Sequence, residues 1–83
     1  MLSHNIEPRL RAIVARAALV SPDTIGPDDD LARAGVDSLS MLRAIAEVEA
    51  AFGVEIPDER FVCIRTLRTL VAAVEARLLA DAA

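Results

Sequence analysis

One serine of this chain occupies a place where a hydroxyl could take part in chemistry. Ser38 follows Gly35-Val36-Asp37 and precedes Leu39. A glycine turn, an acid and a serine ahead of an apolar-periodic run mark a helix N-terminus. Such a terminus offers unpaired N–H groups and a partial positive charge, which suits a phosphodiester on the serine hydroxyl. An ordinary helix cap is the plainer use of the same residue. Nothing in the sequence supplies a base to activate it: the single histidine, His4, lies in an N-terminal segment expected to fray, so no Ser–His pair can be drawn. Ser38 is therefore expected to be modified by another protein's catalytic groups, and no catalytic residue is assigned to this chain.

The other reactive side chains have structural readings. Cys63 is the lone cysteine, set between apolar neighbours, and is expected to be a small core or boundary residue. One cysteine excludes an internal disulfide, and with one histidine it leaves no zinc site of the usual ligands. Asp28-Asp29-Asp30 lacks the ligand spacing of a calcium loop and reads as a solvated charge run. No metal site is assigned.

The charge is unevenly distributed. Residues 23–59 hold ten acids against Arg33 and Arg43, a net −8, while residues 1–22 and 60–83 each sum to +2. An acidic middle opposes nucleic-acid binding, which needs a basic footprint. It suits either plain solvation or partners with a basic docking patch. No apolar run approaches the roughly 18 residues of a membrane-spanning helix, and the start MLSHNIEPRL has no secretory apolar region. A cytoplasmic monomer of one domain, residues 1–83, is expected.

Helices must position these groups. The chain has 83 residues, 54% hydrophobic with only 2% aromatic, so its core is mainly Leu, Ile, Val and Ala, and Ala and Leu favour helices. Ile6, Leu10, Ile13, Val14 and Ala17 form one stripe of a first helix from about Glu7 to Leu19. Pro8 fits its first turn, and Ser21-Pro22 stops it. A long Asp-, Gly- and Pro-rich loop follows over residues 21–37, pinned by Ile25 and Leu31, with room for a short helical turn around Asp29–Ala32. The second helix begins at Asp37 or Ser38, faces the core with Met41, Ile45, Val48 and Phe52, and ends at Gly53. An extended Val54-Glu55-Ile56 leads through Pro57 to a brief third helix from Asp58 through Phe61 and Val62. Thr66 caps the last helix, whose inner face is Leu67, Leu70, Val71, Val74 and Leu78, and Phe52 and Phe61 belong to the core. The fold class is all-α: a four-helix bundle of three longer helices and one short one, with a long loop between helices 1 and 2.

From Ile6 to Leu78 this pattern resembles the acyl carrier protein family. The resemblance rests on Leu31, on Gly35-Val36-Asp37-Ser38-Leu39, and on Phe52-Gly53-Val54-Glu55-Ile56-Pro57-Asp58-Glu59 one helix later. Asp-Ser-Leu alone is a weak motif; the second segment at the family's spacing makes it specific. The resemblance implies that a phosphopantetheinyl transferase places 4′-phosphopantetheine on Ser38, with Asp37 helping to position metal and substrate in that enzyme. It implies a freestanding carrier of acyl or aminoacyl thioesters, loaded by a ligase and unloaded by downstream transferases. The competing readings are a helical interaction module without a prosthetic group, in which Ser38 is only a cap, and a small hydrolase, for which the base is missing.

With positions 41, 45, 48 and 52 inward, Ser40, Arg43, Glu47 and Ala50 should face outward, flanked by Leu39, Leu42 and Ala46. Leu39, Leu42, Arg43, Ala46 and Glu47 are the candidate docking residues. Carriers of fatty-acid synthesis have a heavily acidic second helix; residues 38–52 here sum to only −1, and the acidity lies in the preceding loop, where Asp23, Asp28, Asp29, Asp30 and Asp37 oppose Arg33. Arg43 would repel a basic partner built for the acidic pattern. A dedicated polyketide, lipid or aminoacyl-transfer pathway is expected.

Overall fold

A computed structural model describes the backbone of residues 2–82 and the side chains of residues 6–81. Four α-helices occur in chain order: α1 Leu2–Ala18, α2 Ser38–Phe52, α3 Asp58–Phe61 and α4 Leu67–Ala82. A single turn of 3₁₀-helix, Pro22–Thr24, lies between α1 and α2. The all-helical bundle and its long first connection are as the sequence pattern implies.

The core forms where the apolar stripes meet. Ile6, Leu10, Ile13 and Val14 of α1 are buried with Ala44, Ile45 and Val48 of α2 and with Leu67, Leu70, Val71 and Val74 of α4. Helix α1 packs on both α2 and α4. Arg16 of α1 pairs with Glu47 of α2, and the Arg9 guanidinium lies 4.3 Å from the centroid of the Phe52 ring, so α1 and α2 run antiparallel. Phe52 and Phe61 are half-buried against the core's edge and not inside it. Cys63, expected in the core or at its boundary, is exposed, because the turn after α3 directs residues 62 and 63 outward while Ile64 packs on the core.

Local chemistry sets the helix ends. Gly53 closes α2 in the left-handed region, φ 66°, with its N–H donating to the Glu49 carbonyl at 2.9 Å. Thr66 precedes α4 in a reciprocal cap: its hydroxyl accepts from the Thr69 N–H at 3.1 Å, and the Thr69 hydroxyl accepts from the Thr66 N–H at 2.9 Å. Helix α1 departs from expectation in where it starts and in how it is stopped. It begins at Leu2, so Pro8 sits in its second turn and not its first. Pro8 has no N–H to give to the carbonyl four residues earlier, yet the backbone continues helically through it. The side chain of His4 lies outside the described residues. At the other end the chain leaves the helix at Leu19, the only non-glycine with positive φ among the described residues, at 59°. The Val20 N–H then reaches the Ala15 carbonyl at 3.0 Å, the six-to-one bond of a glycine-type helix stop.

That stop carries the wrong residue for its backbone. A left-handed L-residue costs about 1 kcal/mol relative to glycine, and the Leu19 side chain, 91% exposed, recovers almost nothing by burial. Leu19→Gly is therefore expected to stabilise the protein by about 1 kcal/mol, raising the thermal midpoint by roughly 4–8 °C for a domain of this size. Thermal and urea unfolding of the two proteins side by side would check this; an unchanged or lower midpoint would show that the Leu19 backbone is not under strain.

Candidate functional site

The loop over residues 19–37 is held along most of its length. Ile25, Leu31 and Val36 are 2%, 3% and 4% exposed, as expected of the first two. Around them the backbone is tied to the helices. The Arg11 guanidinium donates to the Ile25 carbonyl at 3.0 Å, the Leu31 N–H to the Arg65 carbonyl at 2.9 Å, and the Arg68 N–H to the Pro27 carbonyl at 2.9 Å. Asp28 receives both arms of the Arg68 guanidinium, at 2.6 and 3.0 Å. The helical turn allowed at Asp29–Ala32 forms slightly later, as a run of turns over residues 31–35. Leu31, once buried, anchors this turn, and its carbonyl accepts from Ala34 at 3.1 Å and Val36 at 2.9 Å. Gly35 closes the turn at φ 101°, where a side chain would also crowd Val20 at 3.2 Å.

This frame delivers the chain to α2 in extended form at Asp37, the N-cap. The Asp37 carboxylate accepts from the Ser40 N–H at 2.8 Å, and the Asp37 carbonyl accepts from the Met41 N–H at 2.9 Å. The bond from the Ser40 amide, reinforced by the Ser40 hydroxyl and by attraction to Arg43, holds the Asp37 carboxyl below its ordinary value. Ser38 is the first residue of the helix and is exposed. The amides of Ser38 and Leu39 have no acceptor among the described residues, so α2 presents two free N–H groups beside the Ser38 hydroxyl.

Ser38 also lines an open cleft of about 440 Å³. Leu31, Val36 and Met41 line it together with Phe61, Val62 and Ile64 from further along the chain, with Asp30, Asp37 and Arg65 among the polar groups. An anion-favouring helix end above an apolar cleft fits a group with a phosphodiester at one end and a largely uncharged body. The lining from further along the chain was not foreseen from the sequence. Val62 and Arg65 lie more than twenty residues along the chain from Ser38 and carry no local signal; only the pairing of the loop at Leu31 with Arg65 brings them across.

The docking candidates separate into two groups. Leu39 and Leu42 are 57% and 55% exposed, and Arg43, Ala46 and Ala50 are exposed with them. Ser40 and Glu47 are partly exposed, less fully outward than expected, and the Glu47 side chain keeps 41% of its surface in water. Ser40 gives its backbone N–H to Asp37, and Glu47 accepts from Arg16. The exposed stripe of α2 therefore runs through residues 39, 42, 43, 46 and 50, rotated toward the leucines.

Residues 8–74 match the protein family described as the phosphopantetheine attachment site. An acyl carrier protein of Thermosynechococcus vestitus is 33% identical over 72 residues, covering 86% of this chain and 89% of that protein. The chain belongs to the acyl carrier protein family. This carrier is also 36% identical over 73 residues to 3-methylorcinaldehyde synthase of a Phoma species, and 41% identical over 70 residues to a non-reducing polyketide synthase of Emericella nidulans. Those matches cover 88% and 84% of the carrier, but the carrier spans only about 3% of either synthase. The family shared by these proteins is that of phosphopantetheine-bearing carrier domains. Among the described residues, no helix is long and apolar enough to cross a membrane.

The cap can be tested by titration. Because the Asp37 carboxyl is depressed when folded, its contribution is complete above the unfolded value and is lost as pH falls through the lower folded one. The Ser40 amide resonance should titrate with a midpoint below 3.8, the ordinary value for this carboxyl. Asp37→Asn keeps an acceptor oxygen and should flatten that profile. A wild-type midpoint at or above 3.8 would mean that the cap bond is not formed in solution.

Proposed function

We propose that Ser38 carries the 4′-phosphopantetheine arm and that the chain works as a carrier domain of acyl groups in the cytoplasm, loaded by a ligase or transferase and serving downstream transferases. The observation that carries this reading is the place of Ser38: an exposed hydroxyl at an α2 N-terminus with two free amides, above an apolar cleft, inside the segment that matches the attachment-site family. When bound, phosphopantetheine supplies a terminal thiol that holds a cargo as a thioester. The α2 amides would hold the phosphodiester end. A tethered cargo is presented at high effective concentration to whichever enzyme is docked.

Asp37 has a supporting part. Its carboxylate is ionised at neutral pH and kept in place by the Ser40 amide, so it can offer its other lone pairs to a metal ion in the phosphopantetheinyl transferase. It is not placed as a base for Ser38, since its hydrogen bond goes to Ser40. Leu39, Leu42, Arg43 and Ala46 form the docking face beside the arm, with Glu47 at its edge, held by Arg16 of α1. The two synthase relatives favour a polyketide-type acyl cargo over an aminoacyl one.

Incubation with coenzyme A, magnesium and a broad-specificity phosphopantetheinyl transferase should add the mass of one phosphopantetheinyl group to wild type and none to Ser38→Ala. No gain on wild type would sink the carrier reading in favour of a bare interaction module. A gain that persists in Ser38→Ala would move the attachment to another residue.

A further inference from the structure

The exposed face of α2 offers a partner two leucines, two alanines and one cation, and no uncommitted carboxylate. Leu39 and Leu42 keep more than half of their surface in water, and Ala46 and Ala50 extend the stripe at helical spacing. Val62, 71% exposed, belongs to the cleft that Ser38 lines and adds apolar surface there. Exposed apolar groups gathered beside a modification site mark a surface meant to be covered.

The acids of this helix are committed to the fold. Glu47 accepts from Arg16 of α1, and Glu49 accepts from the Ile56 N–H at 2.8 Å, tying α2 to the segment before α3. Four acids of the loop region, though not Asp23, are used in the same way. Asp28 holds Arg68, Asp29 accepts from the Gly26 N–H, Asp30 from the Ala32 N–H, and Asp37 from the Ser40 N–H. These groups keep their charge, but their orientation is set by the chain's own turns. Arg43 is the opposite case: it lies within the stripe, one turn from Leu39 and from Ala46, is exposed, and has no ion-pair partner among the described residues.

We propose that the partner surface covering α2 beside Ser38 is apolar, with an exposed carboxylate placed to meet Arg43, and is not a basic patch. A basic patch would bring like charge against a guanidinium as the leucines are buried, which disfavours docking. A carboxylate there accepts the guanidinium fork and fixes the orientation of the complex. The inference rests on the carrier reading of Ser38.

The probe is phosphopantetheine loading itself, followed by intact mass at low salt. Two enzymes are used: a transferase whose carrier-docking patch is basic, and the same enzyme with the Lys and Arg of that patch changed to Glu. With the basic enzyme, Arg43→Glu should raise kcat/KM by about fivefold or more, and added salt should shrink the difference. With the charge-reversed enzyme the order should invert. Arg77→Glu changes the net charge equally but lies on α4, and should have a smaller effect with both. Leu42→Ala, at an exposed position that leaves the core intact, should slow loading by either enzyme. A slower Arg43→Glu with the basic enzyme, or equal effects of Arg43→Glu and Arg77→Glu, would overturn the proposed surface while leaving Ser38 as the site. Failure of both enzymes to load wild type would overturn the carrier reading, and this surface with it.

Discussion

Burial of the long loop is the constraint on which the rest of the structure depends. A stretch of this length with so many Asp, Gly and Pro residues has little reason to hold one shape by itself. It does so because Ile25, Leu31 and Val36 enter the same core as the helices, each worth roughly 1.5–3 kcal/mol when fully withdrawn from water. Their burial brings backbone groups with them, and those groups need partners. Leu31 finds the carbonyl of Arg65, Pro27 finds the amide of Arg68, and Ile25 finds the guanidinium of Arg11. The loop is thereby joined to α1 and to the start of α4. The start of α2, which follows directly, is left facing solvent on a fixed base.

The same arrangement suits the proposed carrier role of Ser38 better than a hydrolytic one. A nucleophilic serine needs a base within hydrogen-bond reach. The nearest acid along the chain is Asp37, and its hydrogen bond goes to the Ser40 amide, which holds its carboxyl below the ordinary value and makes it a poor proton acceptor. What surrounds Ser38 is suited to an anion already in place: free helical amides on one side and an open, mostly apolar cleft on the other. Exposure of the hydroxyl suits modification by an enzyme that brings its own catalytic groups.

Much of this was legible in the sequence because the signals are local. The apolar stripes of α2 and α4, Gly53 as a helix stop and Thr66 as a cap each occupy a few consecutive residues, and tertiary packing agrees with them. Ile25 and Leu31 were legible as the only large apolar residues in their part of the loop. The start of α1 was not. Pro8 favours a first turn by its own preferences, but nothing local forbids a helix from beginning earlier and running through it. The end of α1 was found at the right place for a different reason. Ser21-Pro22 suggests a stop, while the chain in fact turns at Leu19, in a conformation that sequence statistics assign to glycine. The cleft wall formed by Phe61, Val62, Ile64 and Arg65 is a product of long-range pairing and has no signature in spacing.

The electrostatic reading changed most, and for a physical reason. A charge sum along the chain counts every carboxylate alike, so residues 23–59 read as either a solvated acidic face or one suited to a basic partner, with Arg43 as the exception. In the folded protein, carboxylates divide by what they are bonded to. Those of Asp28, Asp29, Asp30, Asp37, Glu47 and Glu49 close turns, cap a helix or join two elements, and withdrawing one to meet a partner would give up a bond of the fold. Exposed pairs such as Arg68–Asp28 contribute little energy singly, but they fix direction, and direction is what a docking surface needs. Arg43 makes no such bond among the described residues; its charge acts on Asp37 only through space. Beside Leu39 and Leu42, Arg43 is the charged group of the exposed α2 stripe that makes no hydrogen bond or ion pair among the described residues, so it is placed to answer a partner and to set the specificity of this face.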